Sequence, residues 1–174
     1  MAAPWTDEDR AATLKAIGFA NRQIVTAWTE REPKRDIPWT PLAKPLSEAR
    51  VALVSTAALA LQDDEPFDQE GERRDPWWGD PSFRVLPRDT RTGGAVSYHM
   101  HIDTSVPEQD LDSVMPLTRL AELEAEGFVG SSAPSHYSFM GYILKEKELL
   151  ETSTVAMIEQ MKKEEVDAVL LVPV

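Results

Sequence analysis

Val166-Asp167-Ala168-Val169-Leu170-Leu171-Val172-Pro173-Val174 closes the sequence, and Ala168 to Val172 within it is apolar without a break. It reads as a strand. A helix expected from about Ser153 to Glu164, burying Val155, Ile158 and Met161, delivers the chain into it. Val51-Ala52-Leu53-Val54 is a second such run, entered at Arg50 and left at Ser55-Thr56, and suits a strand covered on both faces. Further strands are expected at Phe83-Arg84-Val85-Leu86, closed by Pro87, and at Ser97 to Asp103, where apolar and polar residues alternate. Pro116 to Glu126 is an expected helix with Leu117, Leu120 and Leu123 inside and Gly127 as its stop, followed by a brief strand at Phe128-Val129-Gly130. Asp63 to Asp80 reads as a charged loop and Ser135 to Tyr142 as an aromatic loop or turn. The alternation of strands and helices predicts an α/β fold: a mainly parallel, Rossmann-like sheet flanked by helices, its last strand at the C-terminus. In open sheets of this kind, ligand chemistry gathers beyond the carboxyl ends of the strands, which makes the end of the Val166 to Val174 stretch the place to expect a reactive residue.

Upstream, Thr6 to about Glu32 has an amphipathic helical pattern through Leu14, Ile17, Ile24, Val25 and Trp28, and Pro33 ends it. Four prolines and Trp39 make Pro33 to Pro45 an extended arm. The expected organisation is therefore an N-terminal helix and arm over residues 1–48 and an α/β domain over residues 49–174. With 174 residues the chain holds one full core. A net charge of −12 disfavours nucleic acid and anionic membrane as partners, since both select basic surfaces. No apolar run approaches a membrane span and no signal-peptide pattern opens the chain, so a cytoplasmic location is expected. The absence of cysteine excludes disulfides and thiolate chemistry within these residues.

The three histidines fall in two short segments. If Ser97 to Asp103 is a strand, His99, His101 and Asp103 share one face of it, with His136 elsewhere in the chain. Such a set suits a divalent metal, or proton transfer and substrate orientation without metal, or plain burial against loop backbone. Trp77 to Arg84 mixes aromatics with Asp80, Ser82 and Arg84; it either walls a small-molecule pocket or is an anchored loop with Asp80 accepting backbone N–H groups. Gly141 is expected to serve a special backbone angle or a close approach. Ser138 lacks the G-x-S-x-G surroundings of a nucleophile, and no P-loop or dinucleotide fingerprint occurs.

Taken in order, Val51 to Thr56, Gly79 to Arg84, His99 to Ser105, Pro116 to Gly127, His136 to Tyr142 and Val166 to Val174 resemble the selenoprotein B family of the glycine, sarcosine, betaine and D-proline reductases. The Val-Pro-Val ending is nearest the D-proline reductase type. The resemblance implies a selenolate or thiolate that attacks the α-carbon of an amino acid or related amine and cleaves a C–N bond reductively. It also implies a partner reductase subunit, carrying in some systems a pyruvoyl group that activates the substrate as an imine, with homo-oligomerisation left open. In that family the stretch resembling Val166 to Val174 runs into selenocysteine or cysteine. The expectation is thus of a translation that stops at an in-frame UGA. His99, His101, Asp103 and His136 are then the candidate catalytic group, and Asp80, Ser82, Arg84, Tyr137 and Ser138 the candidate substrate contacts. No cofactor or metal is assigned to the chain itself. The alternatives are a cysteine-less ligand-binding or assembly module of the same fold, and a metal-dependent enzyme using the histidines.

Overall fold

The computed structural model describes residues 40–75 and 78–174, together with Arg22, Gln23, Thr26, Ala27 and Glu30. Contacts divide the chain into two compact units, Met1–Thr40 and Pro41–Val174. In the first, the five described residues are helical; the rest of the expected Thr6 to Glu32 helix, the arm as far as residue 39, and Trp77 lie outside the described residues.

The second unit is mixed α/β. Strands β1 (Arg50–Ser55), β5 (Ser131–Ser132), β6 (Ser135–Phe139) and β7 (Ala168–Val172) run parallel, and β3 (Phe83–Pro87) joins β6 antiparallel. Strand β7 takes one edge of β1 along Val51 to Ser55, so β5 and β6 share the other edge in succession. A separate ribbon pairs β2 (Leu59–Leu61) with β4 (Ala95–Ser97). The helices are α1 (Gln69–Arg74), α2 (Ser105–Gln109), α3 (Leu117–Ala125) and α4 (Thr154–Lys163). No helix among the described residues is long and apolar enough to cross a membrane.

Alternation along β1 sends its side chains into two cores. Val51 and Leu53 pack with Leu86, Leu111, Met115 and, from α3, Leu117 and Leu120. Ala52 and Val54 pack on the opposite face with Tyr137 and, from α4, Met157 and Met161. Helices on both faces explain why β1 is apolar without a break from Val51 to Val54. Gly127 ends α3 in the left-handed region at φ 76°, and the Phe128 amide turns back to the Leu123 carbonyl at 2.9 Å.

Several expectations need correction. Leu123 is 41% exposed, because only the Leu117 and Leu120 side of α3 reaches the sheet. In α4 the buried pair is Met157 and Met161, while Val155 and Ile158 are exposed; Ile158 lines a cleft of about 300 Å³ that also touches Val169 and Leu171 instead of filling the core. Phe128 is exposed and the strand begins later, at Ser131. Within the Asp63 to Asp80 loop stands α1, capped by the Asp68 carboxylate on the Gly71 amide at 2.8 Å. The last strand is an edge: Val169, Leu170 and Leu171 are 43%, 52% and 70% exposed.

The largest correction is that Ser135 to Phe139 is not a loop but an interior strand, β6, between β3 and β1. From Val51 to Val54 strand β1 advances three residues, while its partner advances five, from Ser132 to Tyr137. The excess contains Pro134, which has no N–H to give. His136 repairs the ladder: its Nδ1 accepts the Leu53 amide at 2.9 Å, and its Nε2–H meets the Ser132 hydroxyl at 3.0 Å. Burial, reinforced by the Arg88 charge, pushes the imidazole pKa down to about 4. The ring is thus neutral, as an Nδ1 acceptor must be.

Because the folded pKa lies below the ordinary 6.5, the unfolded chain binds the extra proton first. Stability contributed by the neutral ring is full above about pH 6.5 and is lost as pH falls toward about 4. Urea melts across that window are expected to show a His136-dependent loss on the order of 3 kcal/mol. His136→Phe, which strands the Leu53 amide, is expected to cost about 1–3 kcal/mol and to flatten this part of the pH profile.

Candidate functional site

The parallel strands direct the carboxyl ends of β1, β6 and β7 to one place. Thr56, just past β1, holds the end of β7: its amide donates to the Val172 carbonyl at 3.2 Å, and its hydroxyl accepts the Val174 amide at 2.8 Å. On the β6 side, the Gly141 amide donates to the Thr56 carbonyl at 2.9 Å. A β-carbon on Gly141 would stand 2.7 Å from His99 Nε2 and 3.1 Å from the Thr56 carbonyl oxygen. Gly141 is therefore the close approach that lets a buried imidazole rest against the strand ends.

His99 reaches that position from the β4 side. The expected strand through Asp103 stops at Ser97, and residues 100–101 are a turn. The turn, not strand alternation, brings His99 and His101 together, their rings edge-on with centroids 5.9 Å apart. The His101 amide donates to His99 Nδ1 at 3.1 Å, and His101 Nε2 meets the Glu72 carboxylate at 2.6 Å. Glu72 is 4% exposed on α1, whereas the His101 side chain is half exposed. Tyr142, at φ 60° directly after Gly141, lays its ring 4.7 Å from that of His101. Burial lowers the His99 pKa, with His101 adding to the effect and Glu72 opposing it.

The remaining candidates do not join this group. Asp103 is exposed just before α2, accepting the Ser105 hydroxyl at 2.7 Å and its amide at 3.0 Å; those bonds hold its carboxyl below the usual range. His136 is the ladder residue described above. Among the described residues no three metal-ligating side chains converge.

Asp80 is buried and accepts the Asp68 amide and the Ser82 amide, each at 2.8 Å, and the Ser82 hydroxyl at 2.6 Å. Arg84 binds the Glu65 and Pro66 carbonyls and stacks 4.3 Å above the Phe67 ring. That is the anchored-loop arrangement. Ser138 is fully buried, accepting the Leu59 amide at 2.8 Å and donating to the Ser55 carbonyl at 3.2 Å. Tyr137 is fully buried beside Phe83; its hydroxyl meets no partner among the described residues, and burial, with Glu164, pushes its pKa up to about 12. Glu72, Thr56 and Tyr142 were not among the site candidates read from the sequence, although Thr56 and Tyr142 close two of the stretches that carry the resemblance. Only the left-handed Tyr142 after Gly141 carried a local hint, in the Gly-aromatic pair.

An α/β unit whose polar cluster sits at the carboxyl ends of its parallel strands is the class of protein defined here. The sequence profile described as "Glycine/sarcosine/betaine reductase selenoprotein B (GRDB)" matches residues 14–174, and the chain belongs to that family. A relative, D-proline reductase subunit gamma of Acetoanaerobium sticklandii, is 33% identical over 133 residues, covering 76% of this chain. The chain spans about half the length of that relative, 52%. No solved structure matches it.

The Gly141 contact is directly testable. Gly141→Ala is expected to displace the His99 ring and to cost about 1–3 kcal/mol. Urea denaturation reports the cost, and the His99 ring-proton NMR shifts report the displacement.

Proposed function

We propose that the chain is a subunit of a selenol- or thiol-dependent reductase that cleaves a C–N bond of an amino acid or related amine. The observation that carries this reading is the grip of Thr56 on Val174, beside Gly141 and the His99, His101 and Glu72 group. Family membership and the relative's name as a reductase subunit support it.

In this reading a selenocysteine or cysteine follows Val174. Its chalcogenolate attacks the α-carbon, and the C–N electron pair leaves with nitrogen, which takes a proton. A second thiol then attacks the chalcogen; the carbon takes a proton, and a Se–S or S–S bond forms. A dithiol reductant restores the starting state, so two electrons and two protons turn C–N into C–H and N–H. A pyruvoyl group, if supplied by a partner subunit, would provide electron withdrawal from the substrate amine, and no residue of this chain is assigned to hold it. His99 and His101 handle protons or orient substrate at the strand ends.

A second reading is a cysteine-less binding or assembly module of the same fold. The codon after Val174 separates the two. UGA or a cysteine codon, with an open frame beyond, supports the reductase; UAA or UAG sinks it. In the extended chain combined with its partner subunit, a dithiol-dependent release of ammonia from glycine, or ring opening of D-proline, is expected. Serine in place of the chalcogen residue should lower that rate by at least about 10³-fold.

A further inference from the structure

We infer that His99 is a hydrogen-bond donor locked in one tautomer, presenting its Nε2–H to an anionic atom of a reactant at the strand ends, and that Glu72 is the positioning residue that locks it through His101. The identity of the reactant rests on the reductase reading; the lock does not.

The lock follows from the bonds. His99 Nδ1 accepts the His101 amide at 3.1 Å, so a neutral His99 carries its proton on Nε2. Burial favours the neutral ring. The turn that aims the His101 amide is anchored at its side chain, where the buried Glu72 carboxylate and Nε2 meet at 2.6 Å. A buried carboxylate requires such a partner, so the anchor serves both groups. His99 is 5% exposed, and among the described residues its Nε2 meets no acceptor, although it lies beside Gly141 and the Thr56 carbonyl. A nearly buried ring that offers one N–H at the carboxyl ends of β1, β6 and β7 is arranged to serve an acceptor from outside. The shared chemistry of that acceptor is a single anionic atom, with two sources: a substrate carboxylate or a chalcogenolate.

Nitrogen-15 NMR of the imidazoles in the 174-residue chain, with His99 assigned through His99→Gln, tests the inference. Expected are a bare Nδ1 and a protonated Nε2 at neutral pH, and movement of the Nε2–H resonance on titration with sodium acetate or sodium hydrosulfide. Response to acetate identifies a carboxylate site, and response to hydrosulfide a chalcogenolate site. Glu72→Ala should mix the tautomers and weaken the anion response at least about tenfold, and Glu72→Gln, which keeps an acceptor oxygen, should restore both. An Nδ1-protonated His99, silence toward both anions, or an unchanged lock in Glu72→Ala overturns the inference. Should Glu72→Ala not fold, the wild-type tautomer and its anion response decide alone. A locked, responsive His99 in a complex without C–N reductase activity would refute the proposed function and leave this inference standing.

Discussion

The bond from the Leu53 amide to His136 Nδ1 is the constraint on which the sheet depends. Pro134 and the two extra residues between Ser132 and Tyr137 would otherwise leave a buried donor of the central strand unpaired. With the imidazole in place, β6 resumes its register on β1 at Val54 and Ser55 and ends at Phe139, two residues before Gly141. The position of Gly141 against Thr56, and so the seat of His99, is inherited from that repair. One histidine thus supports the site from inside the sheet, and another stands at its mouth.

The site itself is assembled from segments with little regular structure. Residues 56–58 link several of them: the Ala58 amide donates to the Phe139 carbonyl at 3.0 Å, the Tyr98 amide to the Ala58 carbonyl at 2.9 Å, and the Ser97 hydroxyl to the Ala57 carbonyl at 2.8 Å. Such cross-bracing lets loops hold side chains as firmly as strands do. Along the β7 edge of the sheet the packing is less complete. Strand β7 pairs only with β1 among the described residues; Ala168 packs against the core, Val169 and Leu171 line a cleft with α4, and Leu170 is exposed. Parallel strands are ordinarily covered on both faces, which makes this edge the least covered apolar surface of the sheet.

Much of the architecture was legible where composition and structure share a period. Val51 to Val54 announced a strand covered on both faces, Gly127 the stop of α3, and Gly141 a close approach. Asp80 matched the anchored-loop alternative. The failures share a cause. Ser135, His136 and Ser138 are polar, so β6 read as a loop; each is satisfied by a partner far away in sequence. The spacing of His99, His101 and Asp103 suggested one face of a strand, but a turn replaced the strand, and Asp103 bonded locally to Ser105. Glu72 lay in a stretch rich in charge, with nothing local to distinguish it from its solvated neighbours.

By itself, then, the sequence determined the α/β class, the apolar strands β1 and β7, and membership in a reductase family through short motifs in order. These are properties of local periodicity and residue identity. Tertiary structure alone decided which histidine repairs the sheet and which faces the strand ends, because each role depends on a partner distant in the chain: Leu53 for His136, and Gly141 and Glu72 for His99 and His101. A hydrogen bond across 83 residues leaves no trace in local spacing.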